Sequence, residues 1–167
     1  MQKPRAVVIG YGYAGRSFHS YLIGLADGLE LRGVSSRSPE TREKIVEERH
    51  CRAYAGLDEV IEDPDVDLVV LATPHDTHAE LAVKAMDAGK HVVTDKPMCT
   101  SLEECDRMIE AAERNDVLLT VFQNRRWDGD YLTLRKLMDE GELGAAGPQA
   151  QVHVLPVYGR ETGVQAA

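Results

Sequence analysis

Glycine recurs at G-x-G-x-x-G spacing in Gly10-Tyr11-Gly12-Tyr13-Ala14-Gly15, directly after the apolar run Ala6–Ile9 and directly before a helical stretch. That placement restricts the chain to few folds. A continuous apolar run is what a strand buried on both faces of a parallel sheet requires. In such a strand–loop–helix unit Gly10 makes the tight turn, Gly12 lets the backbone approach a pyrophosphate, and Gly15 lets helix pack on strand. The helix then offers free N–H groups and the positive end of its dipole to the anion. The motif therefore predicts a dinucleotide-phosphate site.

The remaining pattern alternates short β-branched runs with helical periodicity. After a helix from Ala14 to Asp27, strands are expected at Leu31–Ser35, Arg52–Tyr54, Leu68–Ala72, Val92–Thr94 and Val117–Phe122. Between them fall helices from Pro39 to Arg49, Leu57 to Glu62, Thr77 to Ala88 (closed by Gly89) and Ser101 to Asn115. Pro39 suits a first helical turn. Ser101 and Glu104 form a capping box in which each satisfies the other's backbone donor. A last helix, Tyr131–Glu140, stops at Gly141. Strands and helices in this alternation predict an α/β fold, a doubly wound parallel sheet with right-handed crossovers.

Composition narrows the partners. Nineteen Lys and Arg stand against 28 Asp and Glu, a formal charge of −9. That balance argues against nucleic acid and against a polybasic membrane attachment. No apolar stretch approaches a bilayer span, and Ala6–Ile9 is too short for a signal-peptide core. Cys51, Cys99 and Cys105 form no C-x-x-C pair, so neither a disulfide framework nor a zinc site is expected, and no metal. Reduced thiols in a cytoplasmic protein are the expectation.

The ends of the strands carry the remaining chemistry, because ligands of doubly wound sheets bind outside the strands' carboxyl ends. The second strand ends Ser35-Ser36-Arg37-Ser38, with no acid to hold a ribose 2′-hydroxyl. An arginine there forks onto a 2′-phosphate with serine hydroxyls in support. NADP(H) is therefore the expected cofactor, with NAD(H) as the alternative. The other strand ends read Ala72-Thr73-Pro74-His75-Asp76-Thr77-His78, Thr94-Asp95-Lys96-Pro97 and Gln123-Asn124-Arg125-Arg126-Trp127.

Together with the glycine loop, the Thr73-Pro74…His78 turn, Ala88–Val92 and Lys96-Pro97 resemble the Gfo/Idh/MocA (glucose–fructose oxidoreductase/inositol dehydrogenase) family over about residues 5 to 144. The usual Glu-Lys-Pro stands here as Asp95-Lys96-Pro97. The resemblance implies an NAD(P)-binding Rossmann domain and a second α/β domain acting on sugars or cyclic polyols. It gives Lys96 contact with the nicotinamide ribose and a substrate hydroxyl, with Asp95 orienting it; a lysine ammonium suits this because it steadies a developing alkoxide. Thr73, Pro74 and His75 would line the cofactor cleft. His78 is expected to cap or begin its helix while standing among the cofactor-side residues. Arg125 would contact substrate, while Arg126 and Trp127 are read equally as packing and salt-bridge residues.

The departures concern the second half. The family's acid–base histidine lies in an Asp-x-x-x-His stretch that has no counterpart here, and His153 has no acid arranged to orient it. Residues 1–122 are read as the Rossmann domain, 123–144 as an extension with the final helix, and 145–167 as an atypical tail where the substrate domain would stand. Within that tail Val152–Tyr158 is a strand candidate, limited by Pro156 to an edge. The second domain is read as essentially missing. Two functions follow: an oxidoreductase moving hydride between NADP(H) and a sugar or polyol, or a dinucleotide-binding module or regulator without turnover. A homo-oligomer would use the last strand, the tail, or apolar surface that a second domain would cover.

Overall fold

The computed structural model describes residues 3–143. The strand expected at Val152–Tyr158, His153 and the tail lie outside the described residues. One compact unit runs through Val121, and a second begins at Phe122.

The first unit holds six strands: β1 (Arg5–Ile9), β2 (Glu30–Ser35), β3 (Arg52–Tyr54), β4 (Leu68–Leu71), β5 (His91–Thr94) and β6 (Leu119–Val121). All pair in parallel, in the order β3-β2-β1-β4-β5-β6. This is the doubly wound sheet expected from the alternation, and its order reverses between β1 and β4. Five helices connect the strands: α1 (Ser20–Leu25), α2 (Pro39–Arg49), α3 (Leu57–Glu62), α4 (His78–Asp87) and α5 (Leu102–Arg114).

The apolar run of β1 works on both faces. Val7 and Ile9 join Val69, Leu71 and Val92 in one core, closed by Val60 of α3, Ala82 and Met86 of α4, and Met108 of α5. Ala6 and Val8 join Val34 and Val70 in the other, closed by Ile23 of α1 and Ile45 of α2. Period-two alternation thus sends neighbouring residues into opposite layers, which is why the strand has no polar face.

Several boundaries differ from expectation for identifiable reasons. The helix expected over Ala14–Asp27 is a π-helical turn, Gly15–His19, continued by α1 and ended when Ala26 turns extended. The fourth crossover opens with a 3-10 turn, His75–Thr77, because Pro74 holds an extended backbone just before it. Strand β6 is shorter than the expected Val117–Phe122: the Leu118 N–H donates to the His91 ring instead of the sheet, 3.0 Å away. The capping box is half formed. Ser101 Oγ accepts from the Glu104 N–H, but the Glu104 carboxylate takes the N–H of Thr100, 2.7 Å away, and the Thr100 hydroxyl. These donors hold its carboxyl below the usual range, the Thr100 N–H foremost.

In the second unit a 3-10 turn, Asn124–Trp127, precedes α6 (Gly129–Asp139), which starts two residues ahead of the expected Tyr131. Gly141 follows with φ +77°, as a helix stop demands. No helix among the described residues is long and apolar enough to cross a membrane.

Candidate dinucleotide site

Four strand ends lie in one transverse row. Ile9 is in register with Ser35 of β2 and Leu71 of β4, and Leu71 with Thr94 of β5. At the usual strand spacing the row from Ser35 to Thr94 spans roughly 14 Å. The loops leaving it are the glycine loop, Ser36–Ser38, Ala72–Pro74 and Asp95–Pro97, set around the point where the strand order reverses. Crevices at such points bind ligands.

The glycines divide the work of the loop. Gly10 has φ +99°, and a Cβ there would stand 2.7 Å from the Ala72 carbonyl oxygen. A Cβ on Gly15 would collide with the Gly10 carbonyl oxygen. Both glycines are thus demanded by the chain's own packing. Gly12 is different: nothing lies within 4 Å of the position its Cβ would take. Open space beside bare backbone is what a pyrophosphate needs, so the loop fits a dinucleotide on its own geometry. Tyr13 is exposed beside it, its ring edge-on to Phe18 at 5.5 Å, and Ala14 leads into the π-helical turn.

Tyr11 is fastened from α2. Its hydroxyl donates to Glu48 Oε2 at 2.7 Å and accepts from Arg49 Nε at 3.1 Å. Arg16 Nη2 donates to the other oxygen of Glu48, 2.6 Å away, and Arg49 Nη2 to the Arg16 carbonyl. Burial, then the Glu48 contact, raises the Tyr11 phenol, while the Tyr11 hydrogen bond and Arg16 lower the Glu48 carboxyl. This brace was not visible in the sequence; the only local sign was a Glu-Arg pair at the end of a helix.

At the end of β2, Ser35 is buried and its carbonyl accepts from Gly10 N at 3.2 Å. Ser36 N donates to the Tyr54 carbonyl, and Ser38 caps α2 through Thr41 N. Arg37 is exposed at the tip. Arg42, which sequence reasoning passed over, donates Nη1 to the carbonyls of Ser36 (2.8 Å) and Arg37 (3.1 Å). It holds the backbone from which Arg37 projects.

At the end of β4, Ala72 N donates to Ile9, and the Thr77 hydroxyl lies within hydrogen-bonding distance of Thr73 Oγ1 and the Pro74 carbonyl. Pro74 and His75 are exposed. His78, expected among the cofactor-side residues, begins α4 but is 0% exposed, so it does not face the crevice. Its Nε2 lies 3.0 Å from the Thr73 carbonyl oxygen and its Nδ1 2.9 Å from that of Pro97. Each ring nitrogen thus lies against a carbonyl of a different loop.

At the end of β5, Asp95 Oδ1 accepts from Lys96 N at 2.8 Å, and Oδ2 lies 3.5 Å from Nε2 of His19, a side chain 4% exposed. Burial pushes the His19 imidazolium down, with Asp95 acting in the opposite sense. Lys96 itself is exposed. The described unit therefore brings the glycine loop, Ser35–Arg37, Ala72–His75 and Asp95–Lys96 to one edge of the sheet. Arg125 belongs to the second unit, where it is exposed and paired with Asp128 at 2.9 Å. No group of three or more His, Cys, Asp or Glu among the described residues is arranged to hold a metal.

Residues 4–123 match the model of the GFO_IDH_MocA family, described as an oxidoreductase family with an NAD-binding Rossmann fold. The Escherichia coli protein named uncharacterized oxidoreductase YdgJ is 43% identical over 148 residues, covering 84% of this chain and 40% of its own. The Bacillus subtilis scyllo-inositol 2-dehydrogenase (NADP(+)) IolW is 37% identical over 137 residues, covering 81% of this chain and 37% of its own. Among solved structures, the NAD-binding protein from Listeria innocua superposes with a TM-score of 0.80 at 38% identity, covering 86% of this chain and 42% of its own. The chain thus spans about two fifths of the length of these relatives.

Proposed function

Because the chain belongs to the Gfo/Idh/MocA family of NAD-binding Rossmann-fold oxidoreductases, we propose that it forms the cofactor-holding part of an oxidoreductase that prefers NADP(H). In complete form that enzyme moves hydride to or from a hydroxyl or carbonyl carbon of a sugar or polyol. The observation that carries the cofactor preference is the tip of β2. Arg37 projects there from a backbone pinned by Arg42, and no carboxylate stands in Ser35–Ser38 to claim a ribose 2′-hydroxyl. A guanidinium on that turn is suited to a 2′-phosphate. The naming of the Bacillus subtilis relative as an NADP(+) enzyme acting on scyllo-inositol supports both the cofactor and the polyol reading.

The roles divide along the row of strand ends. Gly12 gives the pyrophosphate room, and the brace on Tyr11 keeps the loop in shape. Ala72, Thr73, Pro74 and His75 wall the crevice. Lys96, exposed beside it, polarises the substrate oxygen, and Asp95 orients the lysine's backbone. The bound nicotinamide supplies the hydride donor or acceptor. Arg125, on the second unit, is assigned to substrate. Residues 1–122 are the cofactor domain, and the unpaired Cys51, Cys99 and Cys105 suit a reducing cytoplasm.

Calorimetric titration with NADP and NAD tests the reading. NADP is expected to bind more tightly, and Arg37→Asp to reverse the order. An unchanged affinity ratio in Arg37→Asp would sink the assignment. Absorbance of the reduced nicotinamide with added polyols then separates turnover from binding alone; NADPH bound but never consumed favours a dinucleotide-responsive module.

A further inference from the structure

We propose that His19 is a positioning residue that couples occupancy of the glycine loop to the loop presenting Lys96. This inference rests on the reading of the glycine loop and Lys96 given above and adds a physical link between them. His19 stands four residues after Gly15, at the end of the π-helical turn that the glycine loop opens into. Gly15 is pressed on the Gly10 carbonyl, so a shift of the loop is carried directly into that turn. At its far end the His19 ring is 4% exposed and points Nε2 at Asp95 Oδ2, 3.5 Å away. The other oxygen of the same carboxylate holds the Lys96 N–H at 2.8 Å, and the Asp95 N–H is itself tied to the Leu71 carbonyl at 2.9 Å.

The carboxylate therefore has one oxygen facing the turn that follows the glycine loop and the other on the loop of Lys96. With its backbone anchored to β4, its remaining freedom is rotation of the side chain, and that rotation moves both contacts together. A His19 that closes on Oδ2 draws the carboxylate toward α1 and changes the hydrogen bond at Lys96 N. Packed interiors transmit small displacements, and the 3.5 Å between His19 Nε2 and Asp95 Oδ2 leaves room for the ring to close. Pro97, on the other side of Lys96, is held by His78, so the change falls on Lys96 itself.

The test uses ADP, which brings a pyrophosphate to the glycine loop but has no nicotinamide half to place at Lys96. In amide-resolved NMR of the whole chain, the Lys96 N–H resonance is expected to move in step with ADP saturation. In His19→Leu, which fills the space but has no N–H, that movement is lost while resonances of Gly10–Gly15 still respond. His19→Gln, which restores a donor, recovers it. Should His19→Leu fail to fold, Asp95→Ala decides, with the same loss expected at Lys96. ADP binding with the Lys96 resonance unmoved, or equal movement in the wild type and His19→Leu, overturns the coupling and leaves the cofactor reading standing. A chain that binds no ADP overturns both.

Discussion

The imidazole of His78 joins two loops that are far apart in sequence: Nδ1 meets the carbonyl of Pro97 at 2.9 Å while Nε2 meets that of Thr73 at 3.0 Å. A neutral imidazole has one N–H and donates to one of these at a time; a doubly protonated ring donates to both. Either way the side chain is sealed from water, so removing it leaves a cavity and two loop carbonyls without their partner. His78→Ala is expected to cost about 2–4 kcal/mol in urea unfolding, the sum of a cavity and lost hydrogen bonds. His78→Gln, which reaches one carbonyl only, should recover part of that. A loss below about 0.5 kcal/mol in His78→Ala would mean that the brace carries no weight.

Two glycines of the same loop are expected to fail in opposite ways. Gly15→Ala drives a methyl into the Gly10 carbonyl and should destabilise the fold by roughly 2–3 kcal/mol. Gly12→Ala meets nothing within 4 Å and should leave stability within about 0.5 kcal/mol of the wild type. Its methyl would occupy the space assigned to the pyrophosphate, so calorimetry should show dinucleotide affinity falling at least about tenfold, or ~1.4 kcal/mol. Undiminished affinity in a folded Gly12→Ala would place the phosphates elsewhere.

Much of the sheet was legible because its signals are local. Ala6–Ile9 reads as a doubly buried strand since every residue in it is apolar, and the structure puts alternate residues in alternate cores. The glycine spacing, Pro39 behind a serine cap, and Gly89 at a helix stop each report the conformation of their own few residues. The contacts that hold the candidate site are of another kind. Glu48 on Tyr11, His19 at Asp95 and His78 on Pro97 depend on which strands are neighbours, and no short-range pattern encodes that. The nearest sequence sign for His19 was its place four residues beyond Gly15, which puts both on one helical face. Glu104 shows the same limit at close range: its carboxylate takes the N–H and hydroxyl of Thr100, one residue before the Ser101 N–H that the pattern assigns to it.

Arg42 is expected to act on cofactor choice without touching the cofactor. Its guanidinium donates to the carbonyls of Ser36 and Arg37, fixing the turn from which the Arg37 side chain leaves. Arg42→Ala should therefore weaken NADP by roughly 3–10-fold, equivalent to about 0.7–1.4 kcal/mol, and NAD by less. Paired titrations with the two cofactors check this. An equal loss for both would mean that Arg42 serves the fold and not the 2′-phosphate.

Buried Tyr54 and Asp63 give the fold a pH dependence at both extremes. The Tyr54 hydroxyl donates to Asp63 Oδ2 at 2.7 Å, and Arg52 Nη1 donates to the same oxygen at 2.8 Å. Burial first, then the Asp63 carboxylate, pushes the Tyr54 phenol up to about 12. The Tyr54 hydrogen bond, helped by the Asp65 N–H and Arg52, holds the Asp63 carboxyl below the usual carboxylate range. A raised folded pKa means that stability is whole below the unfolded phenol value, about 10, and is lost as pH climbs through about 12. A depressed carboxyl contributes fully above its unfolded value, about 3.9, and the contribution fades as pH falls through its lower folded value. Tyr54→Phe should cost about 1–3 kcal/mol at neutral pH, since Asp63 loses a donor inside the protein. It should also remove most of the alkaline loss and shrink the acid one. Urea midpoints of wild type and Tyr54→Phe from below about pH 3 to about pH 12 measure all three effects, and parallel profiles would show that the pair does not couple folding to protonation.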